Sequence, residues 1–589
     1  MSDFSQSIGP VTPRDMHLDF GEAGFALENG ETLPELDIRY ETYGELDETK
    51  ANVVWICSPL TADAHVAGFY TKDDKKPGWW DALIGSGKPI DTDRFFVVCS
   101  NILGGCKGTT GPASTNPKTG KPYGSSFPTI TIADMVHAQK ALADALGIRG
   151  FYCVVGGSMG GFQAMKWTIF YPDFIEKCVL IATSPRFSSQ ALGFETVARF
   201  MILEDPNFCG GNYYEAGKLP SIGLSAARQL AHITYLSAVG MENRFKRDQI
   251  REHDPKHFKL GSPLESYLDH QGKKFVERFD ANSYLHVTYA TDLFDLETEY
   301  GSLESAFQNV KAEFLNVNLS TDWLFPPHES RRITQALLNA GKKITSLELD
   351  SQFGHDGFLI EVGDLGKAVG RFLENEAKAE KETLFEKPIF FDYQETLASL
   401  IPENSKVLDI GCGDGRLLKY LNEVKKTEGG GIEKDFTSIL SCLKNGVPVI
   451  EQDLDERGFC GVNDDLFDIA VLNRTLQEIR SPVKLLHEIL RVAKKVVIAF
   501  PNFGHWKIPL ALFYHRHMPK STELPYEWHN TPNIHLFTLR DFTKLCREEG
   551  FKIENMITLN SGKLSKLLTF LGFETWGTER VIALISKKD

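Results

Sequence analysis

Short runs of apolar residues recur along the first two thirds of the chain: Val53–Cys57, Phe95–Cys99, Phe151–Val155, Cys178–Ala182, Phe314–Val317 and Thr345–Leu349. Most are rich in β-branched or aromatic side chains. Runs of this length bounded by turn formers read as strands buried on both faces. Between several of them the apolar positions change to helical spacing. In Asp134–Leu146 they fall three and four apart and stop at Gly147, a helix-end signal. Strands alternating with helices predict a mostly parallel sheet covered on both faces. Residues 185–311 lose that rhythm and carry several short amphipathic stretches, which predicts a largely helical insertion over the sheet, a lid. The charged stretch 373–386 predicts a linker, and beyond it a second α/β pattern opens with the strand Lys406–Ile410. The predicted domains are therefore 1–372 and 387–589.

Composition narrows the function class. The chain has 589 residues, more than one hydrophobic core usually holds. A net charge of −15 argues against a general binder of nucleic acid or membrane surfaces, because both partners are anionic. No apolar run is long enough to span a bilayer, and the polar start lacks the apolar core of a secretory signal. Ten cysteines are scattered, several inside the apolar strands, with no CxxC pair and no Cys/His cluster at zinc spacing. The expectation is a cytoplasmic enzyme with reduced thiols, no metal, no nucleic acid and no membrane partner.

The strand Phe151–Val155 runs directly into Gly156-Gly157-Ser158-Met159-Gly160-Gly161, and a helical stretch follows. Strand, GxSxG, helix is the pattern of a nucleophile elbow. The tight turn strains the backbone at the serine, and small neighbours relieve the crowding. The following helix directs its N-terminal dipole at a developing oxyanion. An acid and a histidine should then follow in that order. Asp322 comes just after the Phe314–Val317 strand, and His355 after Thr345–Leu349. Taken singly, Asp322 could be a turn former before Pro326-Pro327 and His355 a loop histidine; their order and their places at strand ends favour a triad. His355 would take the proton of Ser158, and Asp322 would fix the imidazole tautomer. Two backbone N–H groups would complete the site, from Met159 and from Leu60 in the loop after Val53–Cys57. His65, in that same loop, fits the order Ser, acid, His badly and is read as non-catalytic.

A triad alone names neither a hydrolase nor a transferase. Residues 14–372 resemble the homoserine O-acetyltransferase family of the α/β-hydrolase superfamily. The resemblance rests on Pro59-Leu60-Thr61-Ala62-Asp63-Ala64-His65, on Asn101–Pro112, on Gly156–Gly161, on Ala231-His232-Ile233-Thr234-Tyr235 and on Gly354–Leu359. It implies a ping-pong reaction in which Ser158 takes an acyl group from acyl-CoA and passes it to the hydroxyl of L-homoserine. It also implies that Arg228 pairs with the homoserine carboxylate, that Asp356 holds its amino group, that Tyr235 lines the same pocket, and that the protein is a homodimer through the helical lid. No cofactor is implied; acetyl-CoA is a co-substrate. Succinyl-using relatives are expected to carry an arginine shortly after the triad aspartate. Here Trp323 is followed by apolar Leu324, which favours acetyl-CoA. Two departures from the family pattern, Ser58-Pro59 and Ala113, touch no proposed catalytic atom. Succinyl transfer, L-serine as acceptor and simple ester hydrolysis remain the alternatives.

In the second part, Asp409-Ile410-Gly411-Cys412-Gly413-Asp414-Gly415 links a strand to a helix with GxGxG spacing. Glu433 ends the next strand, placed for ribose hydroxyls, and Asp453 lies further on, placed for adenine. Asp409 and Asp414 suit a positive ligand better than a pyrophosphate. The set resembles class I S-adenosylmethionine-dependent methyltransferases, which implies a Rossmann-like fold and S-adenosylmethionine as ligand. Residues 387–589 resemble, more specifically, the MetW family, through Val407–Gly415, Gln452–Glu456, Phe500–Trp506, Leu524–Trp528 and Thr531–His535. That family is linked to methionine synthesis. The domain would either methylate an acceptor or bind S-adenosylmethionine and tune the acyltransferase. His505, His529 and His535 show no metal spacing.

Overall fold

In the computed structural model, the apolar runs become β3 (Val53–Cys57), β4 (Phe96–Ser100), β5 (Phe151–Gly157), β6 (Ile175–Ile181), β7 (Glu313–Leu319) and β8 (Ile344–Leu349), and two further strands precede them, β1 (Arg14–Asp19) and β2 (Glu35–Tyr43). Residues 7–247, 250, 254–374, 391–520, 526–560 and 562–588 are described. Most of the predicted linker, 375–386, and Leu524-Pro525 lie outside the described residues. The chain divides into two units, Met1–Leu373 and Glu374–Asp589.

In the first unit the hydrogen-bonded order is β1-β2-β4-β3, and β3 lies beside β5, which continues into β6, β7 and β8. Pairing is parallel from β4–β3 onward, but β1–β2 and β2–β4 are antiparallel. The sequence reading missed this edge because β1 alternates exposed and half-buried positions and β2 mixes buried with exposed ones, so neither forms an apolar run. The helix predicted over Asp134–Leu146 begins earlier, as α1 (Ile132–Ala145). Thr131 caps it, with its hydroxyl accepting from the Asp134 N–H and the Asp134 carboxylate accepting from the Thr131 N–H. Between β6 and β7 the chain is largely helical, with Ser189–Leu203, Ser221–Tyr235, Pro263–Val276 and Ala281–Asp292 as its longer helices.

The core under the elbow is aromatic. Trp55 of β3 stacks on Phe151 of β5 at 5.0 Å, and Trp167 of α2 (Met159–Phe170) sits 4.8 Å from Phe151. All three side chains are fully buried. The Trp167 indole N–H donates to Gln139 at 2.7 Å, Gln139 donates to Gln163 at 2.6 Å, and Gln163 donates to the Ser58 carbonyl at 3.0 Å. This relay ties α1 and α2 to the loop that follows β3, and it leaves no member of the chain without a partner.

The second unit builds its own sheet from β9 (Lys406–Ile410), β10 (Glu428–Glu433), β11 (Val449–Glu451), β12 (Phe467–Asn473), β13 (Ala493–Pro501), β14 (Phe551–Leu559) and β15 (Arg580–Lys587). The order is β11-β10-β9-β12-β13-β15-β14. The first five strands are parallel, and β15 enters antiparallel between β13 and β14. Among the described residues no helix is long and apolar enough to cross a membrane. Replacing Thr131 by Ala should lower the first unit's stability by about 1 kcal/mol, read as a shift in its denaturant midpoint. An unmoved midpoint would mean that the Asp134 bond to the Glu28 N–H holds the helix start without the cap.

Candidate active site

The elbow is built by crowding. A Cβ on Gly156 would lie 2.0 Å from the Gly160 carbonyl oxygen, and one on Gly160 would lie 2.3 Å from the Cys57 carbonyl oxygen. Only glycine lets β5, β3 and the first turn of α2 approach so closely. Between them Ser158 sits at φ 57° and ψ −128°, a strained conformation for a side-chain-bearing residue. Its N–H donates to the Ile181 carbonyl at 3.0 Å, and its own carbonyl accepts from the Thr183 hydroxyl at 2.9 Å. These bonds on both sides hold the strained residue in place.

The predicted acid and histidine converge on it from β7 and β8. Asp322 follows β7, and its Oδ1 accepts the N–H groups of Leu324 at 3.0 Å and Phe325 at 2.9 Å. Its Oδ2 lies 2.7 Å from His355 Nδ1, and His355 Nε2 lies 2.8 Å from Ser158 Oγ. Asp322, His355 and Ser158 are all buried. With both Asp322 oxygens occupied as acceptors, the Nδ1–H tautomer of His355 is favoured, which leaves the Nε2 lone pair facing the serine hydroxyl. Such an arrangement can take a proton from Ser158 and return it to a leaving or entering group.

Met159 opens α2, so its N–H belongs to the unpaired first turn of that helix. Leu60 lies half-buried in the loop after β3, and both residues line one cavity of about 640 Å³ with Ser158 and His355. Arg228, Tyr235 and Asp356 line it too. Arg228 sits on the lid helix Ser221–Tyr235, donates to the Thr61 hydroxyl at 3.3 Å, and lies 4.7 Å from the Phe275 ring. Asp356 neighbours His355; burial raises its pKa, and the charges of His355 and Arg228 oppose the rise. Burial pushes the Tyr235 hydroxyl up to about 12, so it is a neutral hydrogen-bonding group.

Among the cavity residues the sequence reading missed are Arg278 and Glu195, and it had set His65 aside as non-catalytic. Arg278 donates to the Thr61 carbonyl at 3.0 Å and lies 5.1 Å from the Phe275 ring. Glu195, a buried acid of the lid, has its pKa pushed up to about 7 by burial and then by Asp292. His65 lines the cavity as well. Arg278 and Glu195 carry no local signal, since their side chains reach the cavity only through the packing of the lid helices.

In the second unit, Asp409 stands one residue before the end of β9, fully enclosed, with Oδ1 lacking a partner. Burial and then the charge of Glu433 push its pKa up to about 7. Glu433 Oε2 accepts the Gly413 N–H at 2.8 Å, and its Oε1 accepts the N–H groups of Lys434 and Asp435. Gly411, Gly413 and Gly415 all take positive φ, and nothing lies within 4 Å of where a Gly413 Cβ would stand. Asp453, half-buried, accepts the Asp455 N–H at 2.9 Å. The three histidines do not form a common site: His505 is buried against the Ser565 hydroxyl, His535 bonds the Arg480 carbonyl, and His529 is exposed. Among the described residues no group of histidine, cysteine, aspartate or glutamate is arranged to hold a metal ion.

Comparisons with known proteins agree with both halves. The α/β-hydrolase fold model matches residues 76–362, and the model of methionine biosynthesis protein MetW matches 391–582. A bifunctional methionine biosynthesis protein MetXA/MetW of Rhodopirellula baltica is 43% identical over 549 residues, covering 90% of this chain and 87% of that protein. A homoserine O-acetyltransferase of Methanosalsum zhilinae is 48% identical over 371 residues, 63% of this chain and 74% of that one. A homoserine O-succinyltransferase of Alkalilimnicola ehrlichii is 47% identical over 378 residues, 64% and 97% of the two chains. Among solved structures, the homoserine O-acetyltransferase of Bacillus anthracis matches at 31% identity with a TM-score of 0.59, over 63% of this chain and 100% of its own. Esterase E22 matches at 31% identity and 0.57, over 62% and 100%. With its α/β-hydrolase-fold unit, its MetW unit and a relative aligned along nearly all of both, the chain belongs to the family of bifunctional MetXA/MetW methionine biosynthesis proteins.

Proposed function

We propose that the first unit transfers an acetyl group from acetyl-CoA to the hydroxyl of L-homoserine, giving O-acetyl-L-homoserine and CoA. The observation that carries this reading is the bonded row Ser158, His355, Asp322 opening on a cavity that also holds Arg228 and Asp356. Ser158 Oγ attacks the thioester carbonyl while His355 Nε2 takes its proton. The tetrahedral oxyanion is met by the N–H groups of Met159 and Leu60, and collapse returns the proton to the departing CoA sulfur. Homoserine then enters, its carboxylate on Arg228 and its ammonium on Asp356, with Tyr235 beside them. His355 takes the proton of the homoserine hydroxyl, whose oxygen attacks the acyl-serine carbonyl; collapse breaks the bond to Ser158 Oγ, which regains the proton from His355 as O-acetyl-L-homoserine leaves. An amino-acid clamp has no use in simple ester hydrolysis, so Arg228 and Asp356 favour transfer. Leu324 lines the cavity next to the acid and brings no cation for a second carboxylate, which favours acetyl over succinyl.

For the second unit we propose the fold of class I S-adenosylmethionine-dependent methyltransferases and S-adenosylmethionine as its ligand. The strand order with a late antiparallel insertion supports the fold. A buried carboxylate with an unpartnered oxygen beside a glycine loop supports a cationic ligand. Glu433 would meet the ribose hydroxyls, Asp453 the adenine, and Asp409 with Gly411, Gly413 and Gly415 the amino-acid end. The bound group would supply an activated methyl, or serve as a signal of the pathway's downstream product. We also propose a cytoplasmic homodimer. Val197, Phe200, Leu203 and Ile222 expose apolar surface on two lid helices, with Ile222 72% exposed.

Three measurements test these readings. Wild type given acetyl-CoA and L-homoserine should release CoA and O-acetyl-L-homoserine together, and Ser158→Ala should lose at least about 10³-fold in rate. Product from succinyl-CoA in preference would overturn the reading of Leu324, and CoA release without acylated homoserine would replace transfer by hydrolysis. S-adenosylmethionine titrated by calorimetry should bind more tightly as pH rises through about 7, because the cation favours ionised Asp409. The same raised pKa means that stability contributed by this group falls as pH climbs from its ordinary 3.8 towards 7. Binding with no dependence on pH would remove Asp409 from the site. In sedimentation, the protein should run as a dimer that Phe200→Asp with Ile222→Asp converts to monomer; a monomeric wild type would refute the lid interface.

A further inference from the structure

The loop that brings Leu60 to the cavity is pinned along its length. Gln163 holds the Ser58 carbonyl, Arg278 holds the Thr61 carbonyl, and the Ala64 N–H donates to Asn101 at 2.6 Å. Its far end is held by a carboxylate. Glu41 projects from β2 and has no exposed surface, so solvent does not answer its charge. Instead, three donors close on it: the Tyr43 hydroxyl at 2.6 Å, the Tyr70 hydroxyl at 2.7 Å and His65 Nδ1 at 3.1 Å. Tyr43 passes the constraint on, because its oxygen accepts the N–H groups of Val66 and Ala67, both at 3.2 Å. The His65 ring stacks on Tyr70 with centroids 4.1 Å apart, and its carbonyl accepts the Trp79 N–H.

A buried carboxylate is costly unless donors satisfy it, and removing one donor then leaves charge uncompensated. Such a group is retained where it fixes a geometry that apolar packing would leave loose. Here the geometry it fixes is that of residues 65–67, which begin five residues beyond Leu60, and the first of them, His65, lines the cavity that Ser158 shares. We propose that Glu41 and His65 are positioning residues that set the oxyanion-binding loop for the acylation of Ser158, without themselves touching the reacting atoms. His65 therefore acts in catalysis through Leu60, not as an alternative base. Its Nε2 is enclosed and has no partner, which suits a ring used through Nδ1 alone. Burial pulls the His65 pKa down and Glu41 more than reverses this, with Asp63 and Asp74 adding to the rise. Tyr43 and Tyr70 face the same carboxylate as neutral groups, and Arg39 lies near enough to Glu41 to feel its charge.

The inference rests on the acyl-serine reading, and the experiment separates the two. The full-length protein is mixed rapidly with acetyl-CoA, and CoA released in the first turnover is followed before L-homoserine is added. His65→Ala should slow this acylation by about 10–100-fold, the order expected when an oxyanion donor is displaced, while KM for L-homoserine stays within about twofold. His65→Asn, whose amide N–H can stand where Nδ1–H stood, should recover most of the loss. Tyr70→Phe, a milder change that removes one of the three donors, should slow acylation by about three- to tenfold with only a small drop in thermal midpoint, because Tyr70 is half-exposed and water can take the freed place. A wild-type acylation rate in His65→Ala, a loss confined to KM, or an Asn variant no faster than the Ala variant would each overturn the positioning role. An unaffected rate in Tyr70→Phe would overturn the role of Glu41. Absence of acyl product in the wild type would overturn the reaction itself.

Discussion

The first unit depends on how closely three pieces of backbone pass beneath Ser158. With Gly156 and Gly160 in place, β5 turns into α2 against the end of β3, and no other residue type fits either position. Everything chemical follows from that contact. It forces the serine to a positive φ, turns its hydroxyl to the carboxyl end of the sheet, and puts the first unpaired N–H of α2 beside it. Because β3 is one of the three pieces, the loop leaving β3 arrives at the same point. The proposed nucleophile and both proposed oxyanion donors are thus set by one packing constraint. The stacked Trp55, Phe151 and Trp167 lock the same three elements from below.

What could be read from the sequence was whatever the chain encodes locally. The elbow is a contiguous motif, and Asp322 and His355 each follow an apolar strand, so the sequence pattern already put them in reach of Ser158. The antiparallel edge was not legible, because β1 and β2 read as half-exposed segments. Helix α1 was placed two residues late, since the cap at Thr131 counts for more than the first apolar repeat. Glu41 was invisible for a different reason. A carboxylate in a strand is ordinarily a solvated side chain, and its three donors come from Tyr43, His65 and Tyr70, which only the fold assembles. The same holds for Arg278 and Glu195 in the lid.

The buried acids of the two units contrast usefully. Asp322 and Glu41 are surrounded by donors, so each is a finished structural element with its charge already used. Asp409 is equally enclosed, but one oxygen has no partner and its pKa is pushed up to about 7. A protein keeps such a group where something else completes it. The glycine loop beside Asp409 has the room for that partner, and Glu433 supplies a second acid at the end of the neighbouring strand. The proposed sulfonium ligand answers the local charge, which a phosphate-bearing dinucleotide would worsen.

Charge also bears on the choice of acyl donor. Two guanidinium groups, Arg228 and Arg278, line the cavity together with Lys76 and Lys274, and a dicarboxylic acyl group would need one of these cations. Arg278 is bonded to the Thr61 carbonyl, and the charge of Asp63 acts on it. Arg228 reaches the Thr61 hydroxyl and faces the charge of Asp356, as the two ends of an amino-acid clamp should. Binding homoserine would use Arg228 and Asp356 together, one for each charge of the substrate, and leave the cavity's balance unchanged. A succinyl group would bring one more negative charge beside Asp322, where Leu324 offers only apolar surface. Its carboxylate would lose water there without gaining a partner, a loss that a methyl group does not suffer.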